Sequence, residues 1–316
     1  MVRDKEPFIR YLEAKKSIDD RSLNHHVLRA MKDTLDRFFG DNEIHVLEAG
    51  CGVGSMIERM ISWGCLNHGS YTAVDILPQC LQEAARNVAG FSRHECMEVH
   101  AQSPNTLTLI DQRRRIGVEF VSADVLDFAR KFLHKGCYHL VLAHAFFDLV
   151  NMDVVLPSLL SLLRPGGLAY FTLNFDGVTS LEPPWDKNID ERIVAIYHES
   201  MDRRMVRGQP SGDSTTGRHL LARLHASGLA IIDAGPSDWV VFPRNAAYSS
   251  CEAYFLHFIV DTIYHATKSH PDLNPKQLNA WREDRHHRIE QGELFYVAHQ
   301  LDILSQKPQR SHADGK

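Results

Sequence analysis

The sequence is short of several things that would each define a class of protein. No run approaches the roughly 18 uninterrupted apolar residues that suggest a membrane span. Met1–Arg10 is charged and holds no apolar core, so it reads as something other than a secretory leader. The six cysteines, at 51, 65, 80, 96, 137 and 251, form no CxxC pair, and their spacing fits neither a zinc site nor a disulfide framework. That usage suits a reducing cytoplasm. Basic excess is missing too: the formal net charge is -5, which argues against nucleic acid or anionic membrane as a partner. Arg113-Arg114-Arg115 and Arg203-Arg204 are the compact basic clusters, and runs this short read as solvated loop. Histidine is plentiful at 19 residues, with adjacent pairs at His25-His26 and His286-His287, yet no HxxxH pair with a nearby carboxylate occurs, so no metal is expected. No internal repeat is visible.

What is present is a long alternation of strand and helix patterns. With 44% hydrophobic residues in 316, the chain can bury a sizeable core. Leu23, Val27, Met31 and Leu35 recur at helical spacing within a helical stretch over 5–38, broken near Asp19-Asp20. Strands are expected at 44–49, 70–76, 116–121, 138–144 and 168–175, with helices between them, and 90–115 reads as a long polar loop. Such a rhythm implies right-handed crossovers and a parallel sheet. After Phe175 the rhythm breaks. A helix is expected at 189–201, another at 214–227, a long or bent strand at 229–242, helices at 251–266 and 275–290, and a final strand at 294–304. The division that follows is an N-terminal helical cap (1–40), a ligand-binding α/β core (41–175), a cap insertion (176–213), the rest of the core with inserted helices at 251–290 (214–306), and a disordered tail (307–316).

The chemistry concentrates in five segments. Val46-Leu47-Glu48-Ala49-Gly50-Cys51-Gly52-Val53-Gly54-Ser55 runs from a strand through a glycine-rich turn into a helix, the arrangement that lets a ligand approach the backbone closely. Asp75 ends the next strand, where a carboxylate can accept from a pair of ribose hydroxyls. Val121-Ser122-Ala123-Asp124-Val125 follows the third strand, Leu142-Ala143-His144-Ala145-Phe146-Phe147 ends the fourth, and Leu163-Arg164-Pro165-Gly166-Gly167 precedes the fifth. In this order, over 44–175, they resemble the class I methyltransferases that use S-adenosylmethionine (SAM). The resemblance implies a doubly wound, seven-stranded Rossmann-like sheet with helical N-terminal and insertion elements forming a cap. It assigns Glu48, Gly50, Cys51, Gly52, Gly54, Asp75, Ile76, Asp124, Val125 and His144 to the cofactor, with Asp124 and Val125 toward adenine.

The amino-methylating branch of that family carries an Asn/Asp-Pro-Pro-aromatic segment after its fourth strand. His144-Ala145-Phe146-Phe147 stands here instead, which argues against methylation of adenine or cytosine amino groups. A nicotinamide dehydrogenase shares the glycine turn but leaves the LRPGG and SADV segments unexplained, and the acid pair an aminopropyl transferase needs is not evident. A SAM-dependent methyltransferase acting on a small or medium organic acceptor is the reading that results. A non-catalytic SAM-binding or partner-regulating protein is the alternative from another class, an RNA or protein methyltransferase a further one, and self-assembly stays open. His144, at a strand tip, is the candidate general base for a hydroxyl or thiol acceptor. Tyr11, His25, Phe147, Trp185 and Tyr197 are the candidate substrate residues.

Overall fold

The computed structural model describes residues 6–40, 42–131, 136–206 and 208–309. Three helices, α1 (Pro7–Ala14), α2 (Lys16–Ser22) and α3 (His25–Phe38), precede β1 (Ile44–Ala49), α4 (Ser55–Ser62), β2 (His68–Asp75) and α5 (Pro78–His94). Then come β3 (Glu98–Ser103), β4 (Thr106–Ile110), β5 (Arg115–Ser122), α6 (Val125–Lys131), β6 (Tyr138–His144), α7 (Met152–Leu162) and β7 (Leu163–Glu182). The rest is α8 (Lys187–Asp202), β8 (Met205–Val206), β9 (Gln209–Pro210), α9 (Thr216–Ala226), β10 (Ala230–Pro236), β11 (Trp239–Val241), α10 (Ser250–Thr267), α11 (Pro275–Gln291) and β12 (Phe295–Gln306).

The central sheet runs β10-β12-β7-β6-β1-β2-β5-β4-β3. Strands β5, β2, β1, β6 and β7 are mutually parallel, and β12 and β10 complete the far edge antiparallel. Side chains alternate across this sheet as strand geometry requires. Val46, Ala73 and Leu140 join the layer of α3, α4 and α5, while their neighbours Leu47, Val74 and Val141 join that of α6, α7 and α9. The doubly wound α/β architecture follows from that alternation, because each strand carries apolar residues for both faces.

The sheet has ten strands among the described residues, against the seven expected. Two of the additional three form the antiparallel β3–β4 hairpin within the stretch read as loop. Strand β3 is an edge strand with five of its six residues exposed and one intermediate, so it carries no apolar alternation to betray it. The third is β11, one part of the expected bent strand at 229–242, paired with β12 beside β10. Strand β7 also outruns its expected end at Phe175. Its extension through Glu182 pairs with Phe295–Ala298 of β12. The expected tail falls mostly on residues 310–316, outside the described residues.

A third apolar cluster lies beyond the C-terminal ends of the parallel strands. It joins Ile18, Leu23, Phe175, Leu181, Ile193, Trp239, Phe255, Trp281 and Tyr296. Helices α2, α8, α10 and α11 thereby pack over the extended half of β7. Two large polar side chains inside this layer are matched. The Trp281 Nε1 donates to Asp190 Oδ1 (2.7 Å), and fully buried Arg285 donates to the Pro183 carbonyl (2.8 Å). No helix among the described residues is long and apolar enough to cross a membrane.

Candidate active site

All five parallel strands end on one edge, and the five sequence segments meet there. At the tip of β1 the chain turns through Gly50, Gly52 and Gly54, all with positive φ (72°, 51° and 82°). A Cβ on Gly50 would stand 2.5 Å from the Phe146 ring, so the turn and the segment after β6 are fitted to each other only through a missing side chain. Gly54 caps α4, whose first N–H groups point toward the turn.

Asp75 ends β2. Its Oδ2 accepts from the Gly52 N–H (2.8 Å) and its Oδ1 from the Leu77 N–H (2.9 Å), so this carboxylate ties the glycine turn to the second strand. Ile76 beside it is 55% exposed, an apolar side chain left open between two acids at adjacent strand tips. Asp124 is the second acid: its Oδ1 accepts from the Leu126 N–H (2.8 Å) at the start of α6, and Val125 is buried. Cys51 is buried in the turn, and burial pushes its thiol well above the usual range.

Glu48 lies beneath the turn at 1% exposure and accepts from the Tyr71 hydroxyl (2.7 Å). Burial raises its pKa to about 7, against the opposing pull of that hydrogen bond and of Arg59. The acid is poised between its charged and neutral forms near neutral pH.

On the other side of the edge stands a buried charged network. Asp19 of α2, 1% exposed, accepts from Lys15 Nζ (2.7 Å) and Trp239 Nε1 (2.9 Å). Arg59 of α4, 3% exposed, donates through Nε to Asp20 (2.7 Å) and through Nη2 to the Lys16 carbonyl (3.3 Å). His144 closes the cluster. Its Nδ1 lies 2.7 Å from Thr172 Oγ1, and its Nε2 lies 3.2 Å from both Asp19 Oδ2 and Arg59 Nη1. The carboxylate can only accept and the guanidinium can only donate, so a single Nε2 serves one of them at a time. Burial, with Arg59 beside it, lowers the His144 pKa to about 4 despite the Asp19 hydrogen bond, so the ring is neutral at neutral pH. Burial alone would raise the Asp19 carboxyl. Lys15, the His144 hydrogen bond and Arg59 instead hold it well below the usual range.

The structure thus gathers the cofactor candidates at one edge and sets His144 among protein groups that occupy both ring nitrogens. The substrate candidates separate. Tyr11 and Tyr197 come together, partly buried, in the cap, and Trp185 packs into the same cluster. Phe147 is 0% exposed and packs on Phe171 in the sheet core (4.7 Å between centroids). His25 is exposed at the first turn of α3, with no side-chain partner among the described residues. Arg59, Asp148 and Tyr296 were missed. A signal existed for two of them: Arg59 interrupts the apolar stripe of α4 between Met56 and Met60, and Tyr296 belongs to the inward set of β12 that also holds Gln300 and Asp302. A cavity of about 910 Å³ opens at the opposite edge, where β1 and β2 begin, and holds none of these residues.

The sequence profile described as a methyltransferase domain matches residues 23–234, and the chain belongs to that SAM-dependent family. No curated protein matches the sequence significantly. Solved structures similar to this chain include the cyclase SpnF (15% identity, 89% of this chain and 80% of that one, TM-score 0.42). Another is the geranyl diphosphate C-methyltransferase of Streptomyces coelicolor A3(2) with geranyl diphosphate and S-adenosylhomocysteine (12% identity, 90% and 81%, TM-score 0.42).

Proposed function

We propose that this methyltransferase binds SAM across the tips of β1, β2 and β5 and passes its methyl group to a small or medium organic acceptor beneath the cap. The observation that carries the reading is the turn of three positive-φ glycines flanked by Asp75, exposed Ile76 and Asp124. Those residues fit the cofactor by type. Asp75 and Asp124 are carboxylates of the kind that accept from ribose and adenine donors, Ile76 offers an apolar platform, and Glu48 supplies a charge for the ammonium. When bound, SAM supplies an electrophilic methyl on a positively charged sulfur.

The chain's own residues then orient and enclose. The fit of Phe146 to Gly50 sets the floor between donor and acceptor sides. The Asp19–Arg59–His144 network holds α2 on the sheet edge, which keeps water out and fixes the acceptor's approach. In this reading His144 is a positioning residue. It keeps the cap docked and has no open nitrogen for a substrate proton.

Incubation of a metabolite extract with methyl-labelled SAM tests the function. Label entering a small-molecule fraction is expected. Label confined to RNA or protein would overturn the acceptor class, and absence of SAM binding would overturn the whole reading.

A further inference from the structure

Just past His144 the chain makes a single helical turn, Phe147–Leu149, that carries Asp148. The Asp148 Oδ1 is buried and has no hydrogen-bond partner. A buried carboxylate oxygen without a donor costs stability, so its retention asks for a ligand. Three phenols from three elements belong to the apolar cluster on this side of the sheet edge: Tyr11 of α1, Tyr197 of α8 and Tyr296 of β12. Tyr11 and Tyr296 flank Phe255 (5.8 and 5.9 Å between centroids), and Tyr11 also stacks on Phe258 at 4.1 Å.

Unlike those of Tyr71, Tyr138, Tyr248, Tyr254 and Tyr264, none of the three hydroxyls makes a hydrogen bond among the described residues. Burial raises all three phenol pKa values. Coupling of Tyr11 to Tyr296, Tyr197 and Asp148, and of Tyr197 to Asp148, adds to the effect. Tyr11, Tyr197 and Tyr296 share one apolar cluster with Ala145, three residues before Asp148, and the turn that carries Asp148 is tied to the segment after α8 by the Ser211 hydroxyl, which donates to the Leu149 carbonyl (2.6 Å). The cations nearby are already committed: Lys15 Nζ to Asp19 (2.7 Å), and Arg204 Nη1 to the Asp148 carbonyl (3.2 Å).

We propose that Asp148, with Tyr11, Tyr197 and Tyr296, forms the acceptor site and selects a small amine. This rests on the SAM-dependent reading above and names its substrate class. A carboxylate walled by aromatic rings is complementary to an ammonium, through a charge-assisted hydrogen bond and cation–π attraction. The same carboxylate can then take a proton from the bound ammonium, since burial raises the Asp148 pKa above that of an ordinary aspartate. The freed nitrogen lone pair forms the N–C bond as the donor's C–S bond breaks. The donor leaves as a neutral thioether, and the proton passes from Asp148 to solvent.

The test is calorimetric titration with benzylamine, benzyl alcohol and benzoate, run on the protein alone and on the protein saturated with S-adenosylhomocysteine. Benzylamine is expected to bind at least about tenfold more tightly than the other two. Asp148→Asn should weaken benzylamine roughly 10- to 100-fold, the loss of one charged hydrogen bond, and leave S-adenosylhomocysteine affinity unchanged. Its melting temperature should hold or rise, because an unpaired buried carboxylate is removed. Tyr197→Phe and Tyr296→Phe, which keep the rings, should each weaken benzylamine by about three- to tenfold, and they carry the test if Asp148→Asn does not fold. Equal binding of the three probes, preference for the alcohol or benzoate, no binding of any, or an unchanged amine preference in the Asp148 and tyrosine variants would overturn the proposal. Failure of S-adenosylhomocysteine to bind, with benzylamine still bound, would instead overturn the cofactor reading.

Discussion

On the donor side of the sheet edge, Asp75 and Asp124 are held by backbone N–H groups: Leu77, two residues on, and Gly52 of the neighbouring strand's turn for the first, Leu126, two residues on, for the second. On the acceptor side, His144 is held by side chains 125, 85 and 28 residues away in sequence. The first arrangement is half-buried and built from backbone groups of turns that any tight strand-to-helix junction can make. The second is buried and exists only when α2, α4, β6 and β7 are all in place. Losing a member of the donor side should therefore cost ligand affinity, while losing a member of the acceptor side should cost the fold of the cap.

The largest effect is expected from Asp19→Ala. It strands Lys15 and the Trp239 N–H in a buried layer, leaves Arg59 with Asp20 as its carboxylate partner, and should destabilise the protein by about 3–5 kcal/mol, measured by urea unfolding. Asp75→Ala should cost the ligand-free protein only about 1–2 kcal/mol, the worth of its two backbone bonds, and should in addition weaken SAM by roughly 1–3 kcal/mol. Comparable apo destabilisation by the two variants would erase the distinction between the sides.

The pH dependences differ as well. Ionised Glu48 is the form that would meet the SAM ammonium, and its pKa is about 7 in the free protein. Affinity for SAM should therefore fall as pH drops below 7, by up to about tenfold per unit, and Glu48→Gln should flatten the profile. For stability the signs oppose. The folded pKa of Glu48 is raised, so the native state binds more protons than the unfolded chain between pH 4.5 and 7, and stability from this group is lost as pH rises through that window. The folded pKa of His144 is depressed, so stability from this group is lost as pH falls from 6.5 toward 4. His144→Gln, which keeps the reach but not the titration, should remove the acid-side loss and lower turnover by less than the roughly 10²–10⁴-fold expected for a lost base. A loss in that range with the cap intact would make His144 the base after all.

The same contrast explains what was legible in the sequence. The glycine turn, Asp75, Asp124 and the LRPGG segment announce themselves because their function lies in local backbone geometry, which short motifs encode. The parallel pairing of the core strands was legible from the alternation of strand and helix patterns. Asp148, Tyr296 and Arg59 did not, because their meaning comes from being brought together: Asp148 reads as the end of a strand loop and Tyr296 as one residue of a closing strand. The β3–β4 hairpin escaped for a third reason, since an exposed edge strand carries no apolar period. His25 is a chemically attractive residue that the fold leaves at the surface, in the first turn of α3.

Cofactor binding at the donor side is tested most directly by calorimetric titration of the wild-type protein with S-adenosylhomocysteine, beside Asp75→Ala and an NAD control. The expected result is saturable binding by the wild type, a loss of roughly 10- to 100-fold in Asp75→Ala, and no heat with NAD. No heat with S-adenosylhomocysteine at high micromolar concentration, or binding that Asp75→Ala leaves untouched, would contradict it.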